Sequence, residues 1–380
     1  MSPNRSLSNE HVRLLRLRAQ RLAAPSSGAV ASVVQIVKEM CGIQAQEASA
    51  ATLAVRVRST ALVATDVERA RVEERTVIRT WGPRGTLHLL ATEDLGWLLP
   101  LLGPVFVAGD RRRREELGLD EDTCVRGVRI ISTILANQGP LTRAELFEQL
   151  ASHGLLLEGQ ARPHLLSRAA LEGIICLGPD RGSEPTYVLL SDWVEQEHKG
   201  HSLSDAHAEL TRCYLGAYGP ATPEDQATWS GMPLKSTRAA WQPVADQLME
   251  VEVAGAPAWM LKSRAAWLDE LAVHPPIVRL LPRFDSYLLG YQKRDLAVAP
   301  QYAKRINAGG GIIHPTVMVD GRVMGTWKST RKSSHLDVMV EPFDQLAPQA
   351  FPGLETEITD LSRFLGMPTT LHVLTAKTHP

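Results

Sequence analysis

Nowhere in the 380 residues is there an apolar run of about 18 residues, the length a helix needs to cross a bilayer, so no membrane partner is expected. Near the start, Arg5, Arg13, Arg16, Arg18 and Arg21 stand where a secretory signal needs an unbroken apolar stretch. The expectation is a cytoplasmic protein. Four cysteines, Cys41, Cys124, Cys176 and Cys213, lie far apart without CxxC spacing, which suits neither a disulfide framework nor a zinc site. They are expected to be reduced and buried. The chain also lacks GxxxxGK[ST], a strand-coupled GxGxxG, HExxH and GxSxG, so neither nucleotide hydrolysis nor zinc chemistry is expected. His198 and His201 are three apart, but no cysteine or carboxylate pattern completes a ligand set. We expect no metal and no cofactor.

Charge of one sign is lacking too: 41 basic residues face 42 acidic ones, a formal net charge of -1. The molecule as a whole is therefore no polycation. Local clusters remain, at Arg111 to Arg114, at Arg69, Arg71, Arg75, Arg79 and Arg84, and at Lys328, Arg331 and Lys332. Each could be an ordinary solvated face, but three together keep nucleic-acid binding in view. The length exceeds what one core usually supports, which points to two to four domains.

Residues 9 to 23 read as an amphipathic helix and Val30 to Met40 as a second, with Ala24 to Gly28 as the loop between them. Cys41-Gly42-Ile43-Gln44-Ala45-Gln46-Glu47 follows. If extended, it sends both glutamine amides to one side and Ile43 and Ala45 to the other, where the amides could grip a water or a sugar-phosphate edge. By spacing alone the pair also suits two solvated residues at a helix end. Asp66 is placed as the N-cap of a helix over 66 to 79, Thr80 to Gly85 as a turn, and Thr86 to Leu90 as a strand. Thr92 with Asp94 then opens an apolar helix through Leu102.

Two blocks repeat one order. Helices 124–137, 143–152 and 161–173 lead to strands 174–177 and 186–190. Helices 205–217, 223–230 and 236–248 lead to strands 249–253 and 258–261. A Gly-Pro-x-Thr break, Gly139 to Thr142 and Gly219 to Thr222, recurs 80 residues apart. Helix-helix-helix-strand-wing-strand is the winged-helix order, used for DNA contact and also as a protein-protein spacer. The fold class read from this is α+β, mainly helical: tandem winged-helix repeats forming a concave DNA channel, with a C-terminal β-hairpin region. Domains are placed at 1–118, which carries the glutamine pair and a winged-helix-like arrangement, then 119–200, 201–274 and a mixed region 275–380. In the last, Asp320-Gly321 between alternating apolar residues predicts a hairpin. With Arg322 at its tip it is expected to reach into a minor groove.

The Gln44-Ala45-Gln46 triplet, Trp81-Gly82-Pro83-Arg84-Gly85-Thr86-Leu87-His88, Leu281 to Tyr291 and the Gly311 to Trp327 hairpin together resemble the AlkZ-type winged-helix DNA glycosylases over nearly the whole chain. The resemblance implies a metal-free, monofunctional, monomeric glycosylase acting on alkylated double-stranded DNA, with Gln44 and Gln46 catalytic. Two glutamines, rather than Gln-x-Asp, resemble the branch that protects producers of DNA-alkylating antibiotics. It further implies excision of N7-alkylated purines, bulky adducts or interstrand crosslinks among them. Residues placed on the DNA side are Trp81, Arg84, His88, Asp285, Tyr291, Arg322 and Lys328. Of these, Arg84, His88 and Arg322 are candidates for phosphate or groove contacts or for salt bridges, Trp81 also suits a core position, and Asp285 and Tyr291 would buttress the channel. The alternative is a non-catalytic winged-helix DNA-binding protein such as a transcriptional regulator. A third is a protein that sequesters the drug itself.

Overall fold

The computed structural model describes residues 5–23, 31–195, 202–270, 275–307, 309 and 311–375. The 24–28 loop and the His198/His201 pair lie outside them. Chemistry local to the sequence sets most element ends. Ser8 accepts from the His11 N–H to start the helix Asn9–Ala19, and Thr142 and Thr222 each form a reciprocal capping box, with Glu145 and Asp225. The internal repeat is visible in the fold. Helices Glu121–Gln138, Arg143–Ser152 and Ala161–Leu171 precede the hairpin Ile175–Arg181/Glu184–Leu189. Helices Leu203–Tyr218, Pro223–Ser230 and Leu234–Trp241 precede Leu248–Val253/Ala256–Leu261. In both, the residue pair at the Gly-Pro-x-Thr break reaches the second wing strand, by Leu141 opposite Tyr187 and by an Ala221–Trp259 bridge.

Three expectations need correcting. Asp66 is not an N-cap: the helix runs Ala64–Val72, and the Asp66 carboxylate reaches back to the Val63 N–H. Val77–Trp81, divided by expectation between that helix and the turn from Thr80, is a strand, because its apolar, β-branched residues pair with Leu87–Ala91. The third helix of the later repeat stops at Trp241 rather than running to 248, since Pro243 cannot supply the N–H that continuation needs.

The units are knitted together. One six-stranded sheet runs Ile43–Gln44, Leu87–Ala91, Val77–Trp81, Ile175–Arg181, Glu184–Leu189 and Leu141–Thr142, crossing from the first unit into the second at Arg79 opposite Leu177. Arg5–Leu7 pairs in parallel with Val251–Val253, and the helix after it buries Val12 and Leu15 there while Leu17 packs against Leu281, Tyr287 and Met318. The C-terminal sheet runs Val278–Leu281, Thr316–Val319, Arg322–Arg331, Leu336–Pro342 and Thr369–Val373, under the helix Phe351–Leu365. Two buried arginines pin the glutamine-bearing unit to this sheet. Arg56 donates to Glu357 at 2.8 Å and Asp360 at 2.9 Å, and Arg58 donates two parallel 2.8 Å bonds to Asp285. Both members of the latter pair are fully buried, so losing either would strand a charge. Among the described residues no helix is long and apolar enough to cross a membrane.

Candidate active site

Gly42 turns the chain from the helix Val33–Glu39 into the strand Ile43–Gln44. Its φ is +95, and a Cβ there would lie 2.7 Å from the Leu90 side chain, so only glycine fits. Beyond it the alternation holds: Ile43 and Ala45 are buried at 1% and 0% exposure, while Gln44 is half-buried and Gln46 exposed. The backbone is pinned on both sides. The Ala45 N–H donates to Leu87 O at 2.7 Å, and Arg79 donates to Ala45 O at 2.9 Å and to Gln46 O at 3.2 Å. A rigid extended strand thus offers two neutral amides on its open side.

The Gln44 amide is also held. Arg84 donates from one guanidinium nitrogen to Gln44 Oε1 and from another to the Trp229 carbonyl. Its backbone sits in the left-handed region, φ +58, within the turn Pro83–Gly85. Burial, the largest cause, pushes its pKa below the ordinary value. Of the two roles offered for Arg84, phosphate contact and salt bridge, the structure shows neither: this guanidinium is turned inward onto two neutral acceptors. His88 is corrected on the same ground. Lying opposite Gln44 in the sheet, it is 2% exposed and its Nδ1 lies 2.9 Å from Thr86 O. Burial first, and the Arg84 charge second, push its pKa down to about 3, which leaves it neutral and unable to pair with phosphate.

Trp81 is half-buried against the second unit's core. Asp285 is enclosed with Arg58 and also accepts from the Tyr287 N–H at 2.9 Å. Tyr291 is 5% exposed, accepts from Gln20 and donates to Tyr218 O, both at 3.1 Å, and lies under the Arg16 guanidinium at 3.6 Å. Asp285 and Tyr291 are hence enclosed in the interior and present no surface to a partner. Of the predicted set, only Arg322 and Lys328 are exposed cations.

Most of the basic clusters already have partners within the protein, some buried and some as exposed surface pairs. Arg71 and Arg79 are buried and bonded; Arg69 pairs with Asp66 and Glu74. Arg111, Arg112 and Arg113 pair with Glu115 and Glu116, and Arg114 is 3% exposed. Lys328, Arg331 and Lys332 differ: all are exposed, with no ion pair among the described residues. They lie along the hairpin Arg322–Arg331/Leu336–Pro342, whose turn is closed by Lys332 N–H to His335 O at 2.9 Å. This corrects the expected probe. The Asp320-Gly321 turn is tucked into the body, with Tyr287 donating to Gly321 O at 2.8 Å and Arg13 to Asp320 O at 3.1 Å. Arg322 beside it stays exposed.

Arg283, given no role by the sequence reading, joins the two regions. It pairs with Glu47, next to Gln46, and lines a cleft of about 610 Å³ with Arg305, His314, Trp327, Lys328 and Glu341. Its membership of an aromatic-rich motif gave no signal for this, because Glu47 lies 236 positions away. Among the described residues no three His, Cys, Asp or Glu side chains converge to hold a metal. What the geometry offers is two amides on a pinned strand, that of Gln44 held by Arg84 and that of Gln46 exposed, beside a basic cleft.

Residues 37–364 match the family model described as DNA glycosylase AlkZ-like. An interstrand DNA cross-link repair glycosylase of Streptomyces sahachiroi is 31% identical over 360 residues, which span 88% of this chain and 91% of that protein. The solved structure of Streptomyces sahachiroi DNA glycosylase AlkZ superposes with a TM-score of 0.82 at 29% identity, covering 97% of this chain and all of that one.

Proposed function

This chain belongs to the AlkZ-like DNA glycosylase family and is a DNA-repair glycosylase; from that premise we propose that it hydrolyses the N-glycosidic bond of N7-alkylated purines, bulky antibiotic adducts and interstrand crosslinks included. The observation that carries the reading is the Gln44/Gln46 pair on the open side of a pinned strand, with Glu47, the adjoining carboxylate, tied to Arg283. An N7-alkylpurine already carries positive charge, so its departure needs no protonation. What remains is to hold a water near C1′ and to support a cationic sugar. Neutral amides suffice for that and leave unmodified guanine alone. In the reaction the water oxygen bonds to C1′ as the C1′–N9 bond breaks. That electron pair neutralises the base, and the surplus proton leaves to solvent.

In this reading the repeated three-helix-and-wing units are winged helices that together form a concave channel for double-stranded DNA, and the protein works as a cytoplasmic monomer. The cleft of Arg283, Arg305, His314 and Lys328 takes backbone phosphates, and the hairpin carrying Lys328, Arg331 and Lys332 follows a groove. Bulky lesions would not enter a closed base pocket, which favours approach along an open channel.

The test is abasic-site formation on a duplex with N7-methylguanine and on one with a bulky N7 adduct. Alkali-labile breaks should appear with wild type and fall by at least about 10²-fold with the Gln44→Ala/Gln46→Ala double substitution. Equal cleavage by the double variant would remove the chemistry from the glutamine pair.

A further inference from the structure

The inward turn of Arg84 leaves a charged group with no phosphate to meet and one acceptor in the candidate active site. We propose that Arg84 is a positioning residue that fixes which atom of the Gln44 amide faces the substrate, so that the two glutamines do different work. The proposal rests on the reading of Gln44 and Gln46 as the water-holding pair.

A guanidinium has N–H donors and no acceptor. The amide atom bonded to Arg84 is therefore Oε1, and the one left for the open side is Nε2. Nothing on the other flank favours the flipped amide, since His88 is neutral and its Nδ1 is engaged with Thr86 O. Arg84 is itself held from two directions. Its second donor goes to the carbonyl of Trp229, a 3% exposed residue whose ring packs at 5.2 Å from Tyr214 and 5.4 Å from Tyr218. Its Cα backs onto Gly231, where a Cβ would come within 2.9 Å. Swinging the guanidinium outward would abandon a buried acceptor, which is costly.

The two amides are thereby unequal. Gln44 becomes a fixed donor, its N–H groups strengthened by the charge drawn onto Oε1. Gln46 is exposed, with no side-chain partner among the described residues, and serves as acceptor. A water that accepts from Gln44 Nε2–H and donates to Gln46 Oε1 keeps a lone pair for C1′. The later repeat, which supplies the Trp229 carbonyl, thus reaches the reacting centre through a single side chain.

A double-mutant cycle tests this: single-turnover base release from an N7-methylguanine duplex, using wild type, Arg84→Met, Gln44→Met and the double variant. Each single change should slow release about 10²-fold, with half-saturating enzyme concentration within about threefold. The double variant should be no slower than the slower single, as for residues that act as a unit. Losses that multiply in an active enzyme would overturn the positioning role alone. A wild-type protein that releases no base would sink the water-holding reading and the positioning role with it. If Arg84→Met does not fold, Arg84→Lys in 15N-glutamine-labelled protein gives a second readout. The Gln44 side-chain amide signals, identified by their loss in Gln44→Met, should move toward those of a free glutamine, and unmoved signals would overturn the contact.

Discussion

The strand Arg322–Arg331 ends in a turn at each extremity, and the two turns meet opposite surroundings. At its start, Asp320 and Gly321 both have positive φ, +48 and +78, the geometry of a two-residue hairpin turn. That turn is enclosed: Gly321 is buried, its carbonyl accepts from Tyr287, and Asp320 binds Arg13 through its carbonyl and the Ile277 N–H through its carboxylate. At the far end the residues from Lys328 to Ser334 are all exposed. The first turn is a fastening between the C-terminal sheet and the N-terminal helix, and the second is the one free to meet a partner. Local sequence sets where a strand reverses, while the packing around it decides what the reversal is for.

The sharpest way to break this contrast is at Gly321. A Cβ there would lie 2.7 Å from the Tyr287 hydroxyl and 2.8 Å from the Arg13 side chain, on a backbone that disfavours L residues. Gly321→Ala should cost about 2–3 kcal/mol of stability, read as a lower urea midpoint at unchanged slope. A change below about 0.5 kcal/mol would mean that the turn is not enclosed. Tyr287→Phe probes the same fastening more gently. It removes one buried hydroxyl donor from Gly321 O and should cost about 1 kcal/mol by the same measurement, with the ring packing retained.

The same contrast explains what could be read from the chain. The Gln-Ala-Gln alternation and the Asp-Gly turn depend on neighbours within a few residues, and both stand as expected. The roles of Arg84 and His88 did not, because their environment comes from afar. Arg84 in a Pro-Arg-Gly turn looks solvent-facing, yet its carbonyl acceptor is 145 positions away. The enclosure of the Asp320-Gly321 tip is hidden from the sequence for the same reason, since its clamps lie 34 and 307 positions away. A polar residue's type is legible in sequence; whether it faces water is a property of the assembled core.

The smallest stability effect, and the one that separates the turns functionally, is expected at the open end. Lys328→Ala, Arg331→Ala and Lys332→Ala together remove three exposed cations with no ion pair among the described residues, so unfolding should shift by no more than about 0.5 kcal/mol. DNA binding should respond, because each cation that neutralises a phosphate releases a counterion. The slope of log affinity against log salt should fall in magnitude by about 2–3. Arg322→Ala is the control: a likewise exposed cation on the enclosed turn, whose loss should leave the slope unchanged to within about 0.3. If instead Arg322 changes the slope and the triple substitution does not, the enclosed turn is the one that meets DNA, and the assignment of the two ends reverses.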